Sequence, residues 1–529
     1  MKKIIFAIFL VTICIFSISI EDADNMFVKN IEKDYIVYNM EKRPNNLIMT
    51  SSTNVREKDL LLALFQGLVK KDINDNIEPA LAECYEISED KIEYNFKIRN
   101  DAKYSNGKPI TAEEFVEFFE EFLQDKNNVY SKDFDIVFGV KDFREGKIPF
   151  SKVAITSKND NILCIRLNKP SNDLLSILAS PVMGLRSYDS LKNDYKNNYK
   201  NILYSGAFII ENIKDNGEVI ISKNANYYNN KKITDEKIVF TFIEDREKAL
   251  AYFEVEENKD NIDIIMNPPI NEYLRLTDEN KLEGFSGHTS IYLNFNLKEK
   301  RISKDINFRN AINSSISKDY IAQQMSKDFA VAASAYTISK EQIFNTYGNK
   351  SLGEKFLSAS SYSKENILTL LYENNSLEKR IAEDIVKDIE EDLSINIEII
   401  PYEKSEREKV IKEGKYDMIL QAHSFKDSDE LSYFELWSSF SEENDYGFSN
   451  NEYDMLLNKA KDELNSEERK KLYLSCEKIL RQHLPSIPIY NLNTVICRKP
   501  YIRGIQMTRD GNIIFDNIIL DDKMAEQNK

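Results

Sequence analysis

The chain has 529 residues, a formal net charge of −17, 42% hydrophobic residues and 30% charged ones. That length exceeds one hydrophobic core, so two or three domains are expected, and an aromatic share of 11% excludes a disordered polymer. The acidic balance disfavours nucleic acid and anionic membrane surfaces as partners, because phosphate binding needs concentrated basic surface.

Met1-Lys2-Lys3 followed by the apolar run Ile4 to Ile20 reads as a secretory signal peptide, with Ser17 and Ser19 before the cleavage point and Glu21-Asp22 after it. A retained anchor competes with that reading, since the run approaches the roughly 20 apolar residues of a spanning helix. A lipid anchor on Cys14 is disfavoured: Ile13 stands where a small residue is needed, and Ile15 and Phe16 continue the apolar run. The remaining Cys84, Cys164, Cys476 and Cys497 form no CxxC, so disulfide pairing and separate buried thiols both stay open.

Tyr35 to Tyr38 and Leu47 to Thr50 are strand-like. Leu60, Leu61, Leu64, Phe65 and Leu68 recur at helical spacing, with Gly67 near the end where a helix must stop. Glu93 to Arg99 alternates polar and apolar side chains, which predicts a half-buried strand. Ser105-Asn106-Gly107 supplies a turn, and Thr111 followed by Glu114 is a capping box for a helix running to about Gln124. Ile155 to Leu167 reads as strand and Ser171 to Ala179 as helix. Strands follow at Ile209 to Ile213 and Glu218 to Ser222. Another, buried on both faces, is expected at Ile238 to Ile243, with a helix from Asp245 to Val255 beside it.

Further strands are predicted at Asp260 to Met266 and Ser290 to Asn296. Ile367 to Tyr372, a helix from about Glu378 to Leu393 and Ile395 to Ile400 form a strand, helix, strand unit, which wants a parallel sheet. Tyr416 to Leu420 is a strand, Arg469 to Leu480 a helix, and the tail through Val495 and Ile513 to Ile519 returns as strands.

Several of these stretches carry uncommon words in a fixed order. Leu64-Phe65-Gln66-Gly67-Leu68, Pro79-Ala80-Leu81-Ala82-Glu83, an aromatic strand ending Ile98-Arg99, and Tyr104-Ser105-Asn106-Gly107-Lys108-Pro109-Ile110-Thr111-Ala112 stand within one segment. Tyr204-Ser205-Gly206, Asn224 to Tyr228, Phe308-Arg309-Asn310-Ala311-Ile312, Tyr446 to Asp454 and Pro485 to Tyr490 follow. Together they resemble the large extracytoplasmic solute-binding proteins of family 5, which serve oligopeptide and dipeptide ABC importers. Gln66 departs from the family's Glu in the first word.

Catalytic words are absent: there is no G-x-x-x-x-G-K-[ST], H-E-x-x-H, G-x-S-x-G or G-x-G-x-x-G. Only His288, His423 and His483 are present, far apart, and 88 acidic residues single out no carboxylate pair. No catalytic residue, metal or cofactor is expected.

The resemblance implies an α/β fold of the two-lobed periplasmic-binding-protein type (type II, cluster C), with an extra subdomain inserted in the N-terminal lobe. The expected division is a signal peptide at 1–20, lobe 1 at 21–75 and 190–288, the inserted subdomain at 76–189, lobe 2 at 289–489, and a return to lobe 1 at 490–529. It also implies a monomer that encloses a peptide between the lobes by hinge closure and hands it to ABC permease subunits, outside the cytoplasm.

Lys426 to Ser432 resembles the segment whose Asp pairs with the peptide α-ammonium in relatives, and Asp427 is the matching position. His423, Ser424 and Phe425 just before it would add to the peptide backbone as a neighbouring strand. Gln66, Gly67, Tyr130 and Trp437 complete the candidate ligand-binding set, each against a structural alternative: a helix end for the first two, packing for the aromatics. A non-peptide ligand such as a nickel chelate, haem or a sugar, or a surface protein without transport, are the competing readings.

Overall fold

Two long strands organise the molecule, Leu282–Phe295 and Ser486–Arg498, and they pair antiparallel with each other. In this computed structural model the described residues are 33–51, 54–191, 194–234, 237–255, 261–298, 301–326, 328–338, 345–365, 367–425 and 430–521. The expected signal peptide lies outside them.

The two long strands sit in the middle of one continuous eleven-stranded sheet. On one side follow Met418–Ser424, Leu368–Glu373 and Ile397–Tyr402; on the other Ile264–Met266, Ile36–Asn39, Lys237–Thr241, Val219–Lys223 and Phe208–Ile213; the eleventh, Ala330–Ala332, pairs off this path with Ser486–Arg498. Each long strand therefore belongs to both lobes. Its N-lobe half pairs through Leu282↔Cys497 to Phe285↔Thr494 and its other half through Thr289↔Leu492 to Asn294↔Ser486, with the register broken between Phe285 and Thr289. A bulge at that point lets the ribbon bend without breaking either half.

Local signals set most of the elements. Leu368–Glu373 and Ile397–Tyr402 pair in parallel, joined by the helix Ser376–Leu393, which buries Ile381, Ile385, Val386 and Ile389 at helical spacing. Asp245 caps the helix Arg246–Glu254 by accepting from the Lys248 N–H. The capping box is present, with Thr111 bonded to the N3 backbone and the Glu114 side chain accepting the Thr111 N–H at 3.2 Å. The helix it opens, Ala112–Gln124, buries Phe115, Phe118, Phe119 and Phe122. A separate four-stranded antiparallel sheet lies nearby, in the order Ala82–Ile87, Glu93–Ile98, Ile162–Arg166, Ile155–Asn159. Gly107 holds its turn at φ +85°, a conformation costly for any side chain.

Three stretches differ from the sequence expectation for identifiable reasons. Leu47 to Thr50 is irregular rather than strand, because the Asn46 side chain accepts the N–H groups of Ile48 and Met49 at 2.9 and 3.0 Å and closes a turn. Ile155 to Leu167 folds back as a hairpin, with the Asn159 side chain accepting the Asn161 N–H in the turn. The first helix, Val55–Leu64, ends one turn early. Beyond it the backbone is claimed by tertiary bonds: Gly206 N–H donates to Leu64 O, Leu185 N–H to Gln66 O and Leu81 N–H to Gly67 O. The four cysteines among the described residues are free thiols, Cys84 exposed and Cys164, Cys476 and Cys497 buried.

In the C-terminal lobe Trp437, fully buried, is surrounded by Tyr292, Tyr336 and Tyr446 at ring-centroid distances of 5.7, 5.6 and 6.0 Å. Glu477 is buried in the same cluster, accepting the Tyr336 N–H at 3.1 Å through one oxygen while the other has no partner among the described residues. Burial pushes its carboxyl from 4.5 up to about 7. The folded state then holds a proton that the unfolded state has released between those values, so stability falls as pH rises through that window. Glu477→Gln is expected to raise stability at pH 8 by about 1–3 kcal/mol and to leave it nearly unchanged at pH 4. Urea unfolding at both pH values checks this, and an equal effect at both would refute it.

Candidate functional site: the cleft between the lobes

The register break in the two long strands borders a cavity of about 1490 Å³. Its walls come from both lobes. Arg56, Lys58 and Lys71 belong to the N-terminal lobe, Tyr130 and Phe134 follow the Phe-rich helix, and Asn375 to Leu377, Ser424 and Phe425 face them from the other lobe. Gly287, His288 and Thr289 on one long strand, and Leu492 to Thr494 on the other, form the floor. A side chain at Gly287 would place its Cβ 2.6 Å from Leu492 O, so the two strands cross there only because the position is glycine.

The tail supplies a further wall. Gln506–Met507 and Ile513–Ile514 pair as a small hairpin whose turn carries Arg509 and Asp510 into the cavity lining. A buried network under the cavity pins this hairpin. Asp59 accepts from Tyr38 Oη at 2.6 Å, from Asn512 Nδ2 at 2.9 Å and from Ile513 N–H at 3.1 Å, and lies 3.1 Å from Arg56 Nη1. Arg56 also donates to Gly511 O.

One strand edge at the cavity is open. Met418–Ser424 pairs along its whole length with Leu282–Phe295, from Phe295↔Met418 to Thr289↔Ser424, but with Leu368–Glu373 only at Met418 and Ile419. From Leu420 to Ser424 the second edge has no partner strand among the described residues. Such an edge offers backbone N–H and C=O groups to an extended chain.

The candidate residues divide by position. Ser424 and Phe425 line the cavity: Ser424 Oγ is 2.9 Å from Thr289 Oγ1, the Phe425 N–H donates to His288 O at 2.9 Å, and its ring stacks on Tyr433 at 3.7 Å. Tyr130 also lines it, half-buried, with Lys58 Nζ 5.1 Å from the ring centroid. His423, one strand position before Ser424, points to the opposite face, 3.4 Å from Tyr446 Oη, where burial pushes its pKa down to about 4. Trp437 lies in the core, away from the cavity wall. Gln66 and Gly67 are also behind it: the Gln66 side chain accepts from Tyr227 Oη at 2.8 Å, and Gly67 packs against the backbone of Leu178 and Val69. Asp427 lies outside the described residues.

The cavity also gathers side chains that no motif marked, chiefly Lys71, His288, Arg509 and Asp510. No local pattern could have found them, since the hairpin and Lys71 meet across more than four hundred residues of chain. Among the described residues no group of three or more His, Cys, Asp or Glu is placed to hold a metal ion, and no helix is long and apolar enough to cross a membrane.

Comparison with known proteins agrees with this architecture. The chain is 23% identical over 465 residues to the dipeptide-binding protein DppE of Bacillus subtilis, covering 84% of each. It is 22% identical over 505 residues to the periplasmic murein peptide-binding protein MppA of Escherichia coli, covering 92% of each. The unliganded open form of MppA superposes with a TM-score of 0.81 at 21% identity, over 92% of this chain and 98% of that one. Haemophilus influenzae OppA in complex with the peptide RPPGFSPFR gives 0.67 at 21% identity, over 93% and 100%. DppE and MppA are named as binding proteins, and the two-lobed α/β fold of the solved structures is the fold found here. The family profile described as bacterial extracellular solute-binding proteins, family 5 Middle, matches residues 76–445, and with it the chain takes its place as a member of that family.

Proposed function

We propose that this protein is an exported receptor that captures peptides in the cleft by hinge closure and delivers them, unaltered, to an ABC import permease in the membrane. The observation that carries the reading is the strand Met418–Ser424, whose second edge is unpaired beyond Ile419 and whose end reaches the cavity at Ser424. An extended peptide can add there as a strand, and main-chain bonds give affinity common to all sequences. A roomy cavity tolerates varied side chains, because bridging waters replace direct contacts at small cost. On this reading residues 21–75, 190–288 and 490–529 form one jaw with the subdomain 76–189 attached, and 289–489 form the other.

In the sequence Asp427 comes three residues after Ser424, and its role is to hold the peptide α-ammonium, whose three donors need an acceptor of opposite charge. Asp427→Asn is expected to weaken peptide binding by about tenfold or more while the protein unfolds at the same temperature. Calorimetric titration decides it, since wild-type affinity in the variant removes the assignment. Mass spectrometry of ligand released from the purified protein tests the broader reading: peptides support it, and a chelate, haem or sugar replaces it.

A further inference from the structure

The two walls of the cleft, joined at its floor by the long strands, meet a second time outside the cavity. Lys169 Nζ lies 3.0 Å from an oxygen of the Asp462 carboxylate, across 293 residues of chain. Lys169 stands in the connection between the strand Ile162–Arg166 and the helix Asp173–Leu178, whose Asp173, Ser176 and Ile177 line the cavity. Asp462 is the last residue of the helix Asn451–Asp462 in the facing lobe. That helix is tied to the segment Leu431–Glu435, because Tyr453 Oη donates to Phe434 O at 2.6 Å and Lys461 Nζ lies 2.8 Å from the Glu435 carboxylate. In the same segment Tyr433 stacks on the cavity-lining Phe425. Each partner of the pair is therefore built into one wall, and neither lines the cavity itself.

Both side chains stay largely exposed, 76% for the lysine and 72% for the aspartate, so water competes for the pair and salt screens it. Such a contact biases an equilibrium between lobe separations without locking it. Its placement on a helix end favours it. The C-terminal end of a helix carries the negative end of the dipole, which makes a carboxylate at Asp462 poorly placed on its own, and an ammonium brought from the other wall relieves that repulsion. Glu463 follows directly and adds to the attraction.

We infer that Lys169 and Asp462 form a salt-sensitive strap that restrains the separation of the two walls while the cleft holds no ligand. A ligand that must touch both walls then meets a protein already biased toward their close approach, and less of its interaction energy goes into bringing them together. The inference stands on the geometry of the lobes and does not depend on what the cleft binds.

A distance measured between spin labels on the ligand-free protein tests it. One label goes on Cys84, an exposed thiol in the same four-stranded sheet as Ile162–Arg166, and the other on Leu474→Cys, an exposed position of the helix Ser466–His483 that packs against Asn451–Asp462. In about 0.02 M salt, where the screening length is roughly 20 Å, Lys169→Glu and Asp462→Lys are each expected to lengthen the mean distance by about 3–5 Å and to broaden its distribution. The double variant carrying both changes restores the opposite charges and is expected to return to the wild-type distance. Raising salt to about 0.5 M, where the screening length falls to roughly 4 Å, should lengthen the wild-type and double-variant distances and leave the single variants nearly unchanged. Because both positions are exposed, all three variants should unfold at the wild-type temperature. Single variants that keep the wild-type distance at low salt overturn the inference, and so does a double variant that stays as long as the singles. Neither result touches the receptor reading, which peptide titration decides separately.

Discussion

Asp59→Ala is expected to destabilise the protein by about 3–5 kcal/mol, the range for breaking one side of a buried ion pair. The carboxylate is fully buried, so burial raises its pKa, and Arg56, Tyr38, Asn512 and the Ile513 N–H pull it back. Removing it takes the counter-charge from the Arg56 guanidinium, which is 7% exposed and keeps only Gly511 O, and strands the Tyr38 hydroxyl, while the Asn512 amide falls back on Val55 O. Each stranded donor costs its own desolvation. Because two of the lost bonds hold Asn512 and Ile513, the same change should loosen the Gln506 to Ile514 hairpin and blur the cleft wall that carries Arg509. Urea unfolding measures the first effect, and hydrogen exchange of the hairpin amides measures the second. A loss below about 1 kcal/mol would mean that the network contributes little.

Trp437→Ala is expected to cost a similar 3–5 kcal/mol, since it removes the largest buried side chain of the C-terminal lobe and leaves a cavity between three tyrosines. The indole nitrogen has no partner among the described residues, so its hydrogen bonding contributes nothing to lose. Trp437→Phe should therefore cost less than about 1.5 kcal/mol, because most of the ring volume is retained. Comparing unfolding midpoints of the two variants separates packing from polarity. A phenylalanine variant as unstable as the alanine one would show that the indole nitrogen matters after all. As the one tryptophan in the chain, this residue also reports unfolding by its own fluorescence in the wild type.

Secondary structure was legible wherever a signal was local. Thr111 and Glu114 sit three residues apart and cap each other, and the strand, helix, strand unit from Leu368 to Tyr402 declared itself by a change of apolar period from two to 3.6. Stretches were misread where a distant neighbour intervened or where a nearby side chain closed a turn. Phe65 to Leu68 has helical spacing, yet its backbone bonds go to Ser205, Leu185, Leu81 and Ala80, which a window of one turn cannot see. Leu47 to Thr50 was lost to a short-range competitor, the Asn46 side chain.

The cleft was legible only in part, for the same reason. Ser424 and Phe425 could be singled out because they follow a recognisable strand, and the structure brings both to the wall. Trp437 has the same local sequence whether it lines a pocket or fills a core, and Tyr292 and Tyr336 from distant segments, with Tyr446, decided for the core. His288 looked like a solitary histidine. It became a cavity residue because a register break at Gly287 turns it toward Asp510.

By itself the amino-acid order determined the sequence of helices and strands, the absence of catalytic words, and the family to which those words belong, because caps, periodicity and short motifs act over a few residues. Tertiary structure alone decided which side chains meet in the cleft: Lys71, His288 and Asp510 come together through strand pairings and a pinned hairpin that join the two ends of the chain. Contacts of that kind depend on how distant segments pack, and no local pattern encodes them.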